Sequence, residues 1–231
     1  MTDFAASFDQ TVRHADPDRW AAARFVPDPQ ARADLIVLYA LDHELRRIAD
    51  SVTQPMLGEI RLAWWRESLE AIFDGAPVRT HPTLEAIADL VTRRGLERAA
   101  VEQLVKARGR DLDRAPFDEA EALAWGEATA GGVMRLAGKI LGAERAPVEA
   151  AGRAWALGRL AATGRLAEGL DVCERVAAET ASANRALRGL PAAAFPAVAY
   201  ATLAPAYARL ENLPEAVKKL KLTWAVLRGR L

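Results

Sequence analysis

The chain has 231 residues, of which 51% are hydrophobic and 27% charged, a balance typical of a globular protein and unlike that of disordered or fibrous proteins. Lysine plus arginine equals aspartate plus glutamate at 31 each, so the net charge gives no reason to expect a nucleic-acid partner. Cys173 is the only cysteine, which excludes an intramolecular disulfide and points to a reducing compartment. The first residues, MTDFAASFDQTVRHAD, do not have the pattern of a secretory signal, so we expect a cytoplasmic protein.

Apolar residues recur with helical spacing along almost the whole chain. The first clear stripe consists of Leu38, Leu41, Leu45, Ile48 and Val52. A second consists of Leu62, Trp65, Leu69 and Ile72, and a third of Leu213, Val217, Leu220, Trp224, Leu227 and Leu231. No long stretch alternates apolar and polar residues as a strand would. The breaks between helical stretches are short, so we predict one all-α domain over residues 1–231.

The side of the first helix opposite its apolar stripe carries Tyr39, Asp42, His43, Arg46 and Asp50. One interpretation is that this side faces water and that its aspartates and arginine form an i,i+4 ladder of weak salt bridges. The other is that it lines a cavity or pairs internally. Almost no polar residue occurs between positions 35 and 41, which indicates a helix covered on both sides, where charges pair or line a cavity.

Two later segments bear on membrane contact. No charge occurs between Arg188 and Arg209, a length that could span a bilayer, but the segment is rich in alanine and holds three prolines, which favours a buried, broken helix. The last segment carries a basic face with Lys218, Lys219, Lys221, Arg228 and Arg230. That face, opposite a Leu/Trp stripe, could bind an anionic membrane or a partner, or the segment could be the last helix of the bundle with its lysines in water.

Three segments follow one another in a characteristic order: WAAARFVPDPQARADLIVLYALDHELRRIAD at 20–50, RGRDLDRAPF at 108–117 and LAWGEATAGGVMRLAGKILG at 123–142. Their order resembles the squalene/phytoene synthase family, in which an opening helix, a proline-marked turn and an ALYAF-type run precede an aspartate-rich motif. RGRDLDRAPF at 108–117 contains Asp111 where the family has an aspartate, and LAWGEATAGGVMRLAGKILG at 123–142 has Trp125 where the family has a tyrosine. The resemblance implies an isoprenoid-synthase-type helical bundle. In that family, Mg²⁺ held by two aspartate-rich motifs binds the diphosphates of two isoprenoids.

The sequence departs from the family at both metal motifs. The positions of the first motif are occupied by Arg46, Arg47, Ile48, Ala49 and Asp50. Arginine stays protonated and repels Mg²⁺. The second motif should follow the helix at 150–166, where no carboxylate stands between Glu149 and Glu168. We therefore expect no catalytic residue, no metal site and no cofactor, with Mg²⁺ required only if the chain is a prenyltransferase after all.

Other motifs resemble the branch of this family that assists assembly of respiratory complex I. They are HELRRIADSVTQ at 43–54, GEIRLAWWRESLEAIFDGAP at 58–77, AFPAVA at 194–199 and LTWAVLRGRL at 222–231. This likeness implies a non-catalytic assembly factor, peripheral at the inner membrane, whose partner is a complex I subunit or assembly intermediate. The alternative is an isoprenoid or lipid-diphosphate binder, or a head-to-head prenyltransferase, in which Arg46 and Arg47 hold the phosphate directly. The residues predicted to face such a ligand are Tyr39, Asp42, His43, Asp111 and Trp125.

Overall fold

The computed structural model describes residues 2–231, with side chains from residue 7 onward. Its α-helices are α1 (Thr2–Ala15), α2 (Pro17–Ala23), α3 (Pro29–Asp50), α4 (Pro55–Phe73), α5 (Pro82–Arg94), α6 (Arg98–Ala107), α7 (Glu119–Gly126), α8 (Gly132–Ile140), α9 (Glu149–Ala162), α10 (Val172–Ala186), α11 (Ala204–Ala208) and α12 (Glu215–Arg228). Short 3₁₀ turns occupy Arg108–Leu112, Leu187–Gly189, Ala192–Ala197 and Ala199–Leu203, and a π-helical turn occupies Glu127–Gly131. Within residues 2–231 no strand forms beyond a single bridge between Phe117 and Leu166. The prediction of an all-α fold is confirmed.

Proline and aspartate mark where several helices begin. The helices α2, α3, α4 and α5 each have proline in their first turn, where its fixed φ suits a helix and its missing N–H is not needed. The side chains of Asp16 and Asp28 cap α2 and α3 by accepting hydrogen bonds from backbone N–H groups in the first turn. The aspartate cap and the first-turn proline therefore determine where α3 begins, and α3 carries the candidate site.

Two helices, α3 and α9, lie at the centre of the bundle. Helix α3 packs against α1, α4, α5 and α8, whereas α9 packs against α7, α8, α10 and α11. A Cβ on Gly152 of α9 would lie 2.4 Å from the backbone nitrogen of Gly131. Only glycine allows so close an approach between α9 and the π-helical turn.

Helix α3 is buried on both sides in its middle portion, as its sequence indicated. Leu38, Leu41 and Leu45 of the predicted stripe are buried in the main apolar core. Tyr39 and Asp42, on the other side of the helix, are buried as well. The interpretation in which this second side faces water is therefore wrong for Tyr39 and Asp42, which the neighbouring helices cover, and holds only for Asp50 at the end of the helix.

The uncharged segment before α11 is a buried, broken helix. It consists of two 3₁₀ turns followed by α11, and Phe195, Pro196 and Tyr200 within it are buried. Pro196 and Pro205 cannot donate backbone hydrogen bonds, which favours short turns over one continuous helix. Among the described residues, no helix combines the length and the apolar character that a membrane crossing requires.

The last helix packs through a different face from the one its sequence indicated. The predicted stripe of α12 has the right period, but Leu220, Trp224 and Leu227 are exposed, whereas Leu222 and Ala225 are buried. Lys218, predicted to lie on an outward basic face, is turned inward instead, where it pairs with Asp18. The prediction of an outward basic face is therefore wrong for Lys218, whereas Lys219, Lys221 and Arg228 are exposed.

Candidate functional site

The centre of the predicted site is Asp42, whose carboxylate is fully buried on α3 and is shared by three guanidinium groups. Its Oδ2 accepts a hydrogen bond from Arg19 at 2.5 Å and lies 3.2 Å from Nε of Arg46, while its Oδ1 accepts from Arg108 at 2.6 Å. Arg19 and Arg108 are themselves buried. One buried carboxylate thus contacts guanidinium groups from α2, from α3 itself and from the turn after α6.

The arginines reach Asp42 because their own elements hold them in place. Arg19 lies in the first turn of α2, where its backbone N–H donates to the side chain of Asp16 at 3.3 Å. Arg46 donates to Asp16 at 3.0 Å and so bridges Asp16 and Asp42. Arg108 begins the 3₁₀ turn after α6 and also donates to Asp111 at 3.1 Å. We call these six residues the Asp42 cluster: Asp16, Arg19, Asp42, Arg46, Arg108 and Asp111.

Aromatic rings surround the two buried arginines. The guanidinium carbon of Arg19 lies 5.6 Å from the ring centroid of Tyr39 and 5.2 Å from that of Tyr200, and Arg108 lies 5.4 Å from the Trp125 ring. Such cation–π contacts stabilise guanidinium groups that have lost water. The Tyr39 and Tyr200 hydroxyls and Trp125 Nε1 are buried, and none has a hydrogen-bond partner among the described residues. These three atoms are therefore closed off from solvent.

The buried environment fixes the charge of the cluster. Burial alone would raise the pKa of Asp42, but Arg108, Arg19 and Arg46 together hold that pKa well below its usual range. Burial raises the pKa of Tyr200 to about 12, and it raises the pKa of Tyr39 well above its ordinary value. Asp42 therefore stays ionised and both tyrosines stay neutral near pH 7, which does not suit general acid–base catalysis.

The three residues predicted to replace the first aspartate-rich motif do not act together. Arg46 belongs to the Asp42 cluster, whereas Arg47 is exposed and lies 3.5 Å from Glu44. Asp50 is exposed and lies 3.7 Å from Arg114, not near Arg46. The expected ladder is thus half correct. The Asp42–Arg46 pair forms, but Arg46 uses Asp16 as its second carboxylate because α2 covers this side of α3.

Of the other residues that were predicted to face a ligand, Asp111 and Trp125 contact the Asp42 cluster and His43 does not. Asp111 and Trp125 meet at Arg108, and through it they are joined to Asp42. His43 is half-buried on the neighbouring side of α3, where burial and then the charge of Arg46 lower its pKa. His43 is therefore not part of the Asp42 cluster.

The carboxylates of this region do not fit a pair of Mg²⁺ ions. Mg²⁺ needs several oxygen ligands at about 2 Å in octahedral geometry. Both oxygens of Asp42 are taken by guanidinium groups, and Asp16 and Asp111 each face an arginine. Within the described part of the chain, no group of three or more histidine, cysteine, aspartate or glutamate side chains is placed to hold a metal ion.

Sequence reasoning missed the two arginines that matter most at this site, Arg19 and Arg108. One sequence signal could have found Arg108, because it precedes Asp111 by three residues and so shares a helical face with it. Arg19 follows an Asp-Pro-Asp helix start, but nothing local shows that its side chain turns inward.

Comparison with known proteins places the chain in a family. The family model described as squalene/phytoene synthase matches residues 12–167, which is more than half of the chain. The chain belongs to the squalene/phytoene synthase family. The matched range contains the last turn of α1 and all of α2 to α9, and with them every residue of the Asp42 cluster.

Two solved structures share the fold of this family member. A squalene synthase, HpnC, from Alicyclobacillus acidocaldarius is 15% identical, with 94% of each chain covered and a TM-score of 0.72. A dehydrosqualene synthase solved in complex with a ligand is 12% identical, with 99% of this chain and 96% of that chain covered and a TM-score of 0.76. No curated protein matches the sequence. At these identities the likeness establishes the isoprenoid-synthase helical fold, which confirms the predicted architecture.

Proposed function

We propose that this member of the squalene/phytoene synthase family has lost metal-dependent chemistry and serves as a non-catalytic assembly factor for respiratory complex I. The observation that carries the first part is the Asp42 cluster. Arg46, at the first position of the family's aspartate-rich motif, is bound to two aspartates in the interior. A charge network of this kind supports a structural role for the region where the enzymes of the family hold Mg²⁺.

The energetics of the cluster favour a structural role over ligand binding. Separating a buried carboxylate from its guanidinium partners leaves uncompensated charge, at a cost of about 3–5 kcal/mol. A diphosphate entering here would have to displace Asp42 from Arg19 and Arg108, which are both buried. It would also bring several negative charges beside Asp16, Asp42 and Asp111. The site is thus already neutralised by its own residues.

The role in complex I assembly is supported by sequence likeness. HELRRIADSVTQ at 43–54 and LTWAVLRGRL at 222–231 are similar to motifs of the assembly-factor branch. In this proposal the partner is a complex I subunit or an assembly intermediate, the protein needs no cofactor, and it works at the cytoplasmic side of the inner membrane. Contacts on its surface, and no chemistry in its interior, carry the function.

The competing function is prenyl transfer or isoprenoid-diphosphate binding. It is favoured by the two solved relatives, a squalene synthase and a dehydrosqualene synthase. It would require Arg46 to leave Asp16 and Asp42, and Arg47 to leave Glu44, so that both could hold phosphate.

A pair of assays separates the two functions. Purified protein would be tested for Mg²⁺-dependent turnover and for binding of farnesyl and geranylgeranyl diphosphate, alongside the Arg46→Asp/Arg47→Asp variant. We expect neither turnover nor binding in the wild type. Turnover would overturn the loss of chemistry, and metal-independent binding abolished in the variant would favour the diphosphate binder.

The assembly role needs its own assay. In cells lacking the gene, native gels would report the amount of assembled complex I, with the wild-type gene and an exposed-site variant outside the likeness motifs, Lys106→Gln on α6, as complementing controls. We expect complex I to fall without the gene and to return with either control. An unchanged amount of complex I would overturn the assembly role.

A further inference from the structure

Helix α12 presents an apolar surface to solvent on the side away from the bundle. Leu220, Trp224 and Leu227 are 68%, 55% and 75% exposed. At 100° per residue these three side chains share one side of the helix, roughly opposite Leu222 and Ala225, which pack into the core. The helix is therefore apolar on two sides, and only one of them is used by the fold. We call Leu220, Trp224 and Leu227 the α12 outer face.

The bundle holds α12 so that the outer face cannot turn inward. Near the start of the helix, Nζ of Lys218 lies 3.4 Å from Asp18 and 3.1 Å from the Tyr207 hydroxyl. After its end, the side chain of Asn184 accepts a hydrogen bond from the backbone N–H of Leu231 at 2.8 Å and donates one to the Leu231 carbonyl oxygen at 3.1 Å. Rotating the helix to bury Leu220 or Trp224 would break both attachments. The exposed apolar side is thus a fixed feature of the fold.

Basic side chains border the outer face on both edges. By helical geometry Lys221 and Arg228 lie along one edge and Lys219 along the other, and all three are exposed. None of them lies within 4 Å of a carboxylate among the side chains that the structure describes, and the guanidinium carbon of Arg228 lies 4.3 Å from the Trp224 ring centroid. The α12 outer face thus combines exposed leucine and tryptophan with cations that have no acidic partner among the described side chains.

We propose that α12 docks the protein onto an anionic lipid bilayer. Leucine and tryptophan side chains favour the boundary between headgroups and acyl chains, and flanking lysines and arginines reach the lipid phosphates. We favour an anionic bilayer as the binding partner because its negative charge complements the basic side chains that border the outer face. A second copy of the chain, docked through the same face, would bring its own Lys219, Lys221 and Arg228 against these cations. The proposal does not depend on complex I, because any function carried out at a membrane could use this surface.

The test is sedimentation of the full-length protein with vesicles. One vesicle set would contain phosphatidylglycerol with phosphatidylcholine, and the other phosphatidylcholine alone. The apolar variant is Leu220→Glu/Leu227→Glu, and its matched control is Met56→Glu/Ile60→Glu on α4, where both residues are also exposed. The charge variant is Lys219→Glu/Lys221→Glu, with the exposed Lys106→Glu on α6 as its control. All substituted side chains are exposed, so circular dichroism should show folded protein throughout.

We expect the wild type and both controls to bind the anionic vesicles and to leave the neutral ones in solution. The apolar and charge variants should each weaken binding by about tenfold or more. Failure of the wild type to bind anionic vesicles would overturn the proposal, as would a Leu220→Glu/Leu227→Glu variant that binds like the wild type. A concentration-dependent dimer that this variant abolishes, with no vesicle binding, would assign the face to a second copy instead.

Discussion

Helix α3 carries two buried aspartates that are paired in different ways. Asp42 is 0% exposed, and its partners Arg19 and Arg108 are each 3% exposed. Asp34, two turns earlier, is 1% exposed, but its partners Arg93 and Arg94 are 37% and 26% exposed. The first network is enclosed by α2, α3 and the turn after α6, whereas the second lies at the wall of an open groove of about 670 Å³ between α1, α3 and α5.

The difference teaches that the burial of a carboxylate alone does not determine its importance for stability. When Asp34 loses its charge, water can still solvate Arg93 and Arg94. When Asp42 loses its charge, Arg19 and Arg108 stay buried without a counter-ion. The same substitution at Asp34 and at Asp42 should therefore lower the free energy of unfolding by different amounts.

The largest effect is expected for Asp42→Asn. The amide keeps the shape of the side chain but removes the charge that neutralises the buried guanidinium groups, so the free energy of unfolding should fall by about 3–5 kcal/mol. Urea denaturation followed by circular dichroism measures this change. A loss below about 1 kcal/mol would show that the cluster is not held together by this charge.

The dependence of stability on pH should reveal the same charge. Because folding holds the pKa of Asp42 below its ordinary value of 3.8, its contribution is present above that value and is lost as the pH falls below it. Burial raises the pKa of Asp18, so the protonation of Asp18 favours the folded state as the pH falls, which is opposite to the effect of Asp42. Below about pH 4, the wild type should lose stability more steeply than Asp42→Asn, by up to about 1.4 kcal/mol per pH unit. Equal slopes in urea titrations would contradict the assignment.

A smaller effect is expected for Asp34→Asn. Arg93 also has Asp89 as a partner, and both arginines can regain water, so we expect a loss of about 1–2 kcal/mol. The same urea experiment measures it beside Asp42→Asn. If Asp34→Asn were the more damaging of the two, exposure of the arginines would not be the deciding factor.

The smallest effect is expected for Asp50→Asn, at the end of α3. Asp50 is exposed, and its nearest cation, Arg114, is 3.7 Å away, so the free energy of unfolding should change by less than about 0.5 kcal/mol. This variant also serves as the control for an Asp→Asn change on α3. A larger loss would indicate that Asp50 pairs with Arg46 after all, as in the salt-bridge ladder that the sequence indicated.

The sequence allowed the helices to be predicted but not the partners of the buried charges. Hydrophobic period and proline-marked starts depend on neighbouring residues, so the boundaries and buried faces of α3 could be read locally. The pairing of Asp42 with Arg46 could be predicted because they lie one turn apart, but its other two partners lie 23 and 66 residues away. Only the packing of α2 and of the turn after α6 brings those two to Asp42. Helix α12 is a second case. Its period predicts a helix, but with apolar residues on two sides the pattern does not determine which side packs.

The central claim is that the Asp42 cluster stabilises the fold and does not bind a ligand. Thermal unfolding of the wild type and of Asp42→Asn, with and without Mg²⁺ plus farnesyl diphosphate, tests it most directly. We predict that the ligands leave the Tm of the wild type unchanged and that Asp42→Asn lowers Tm by roughly 10 °C in both conditions. A ligand-induced rise in the Tm of the wild type, together with an Asp42→Asn variant that unfolds no earlier but loses that rise, would contradict the claim.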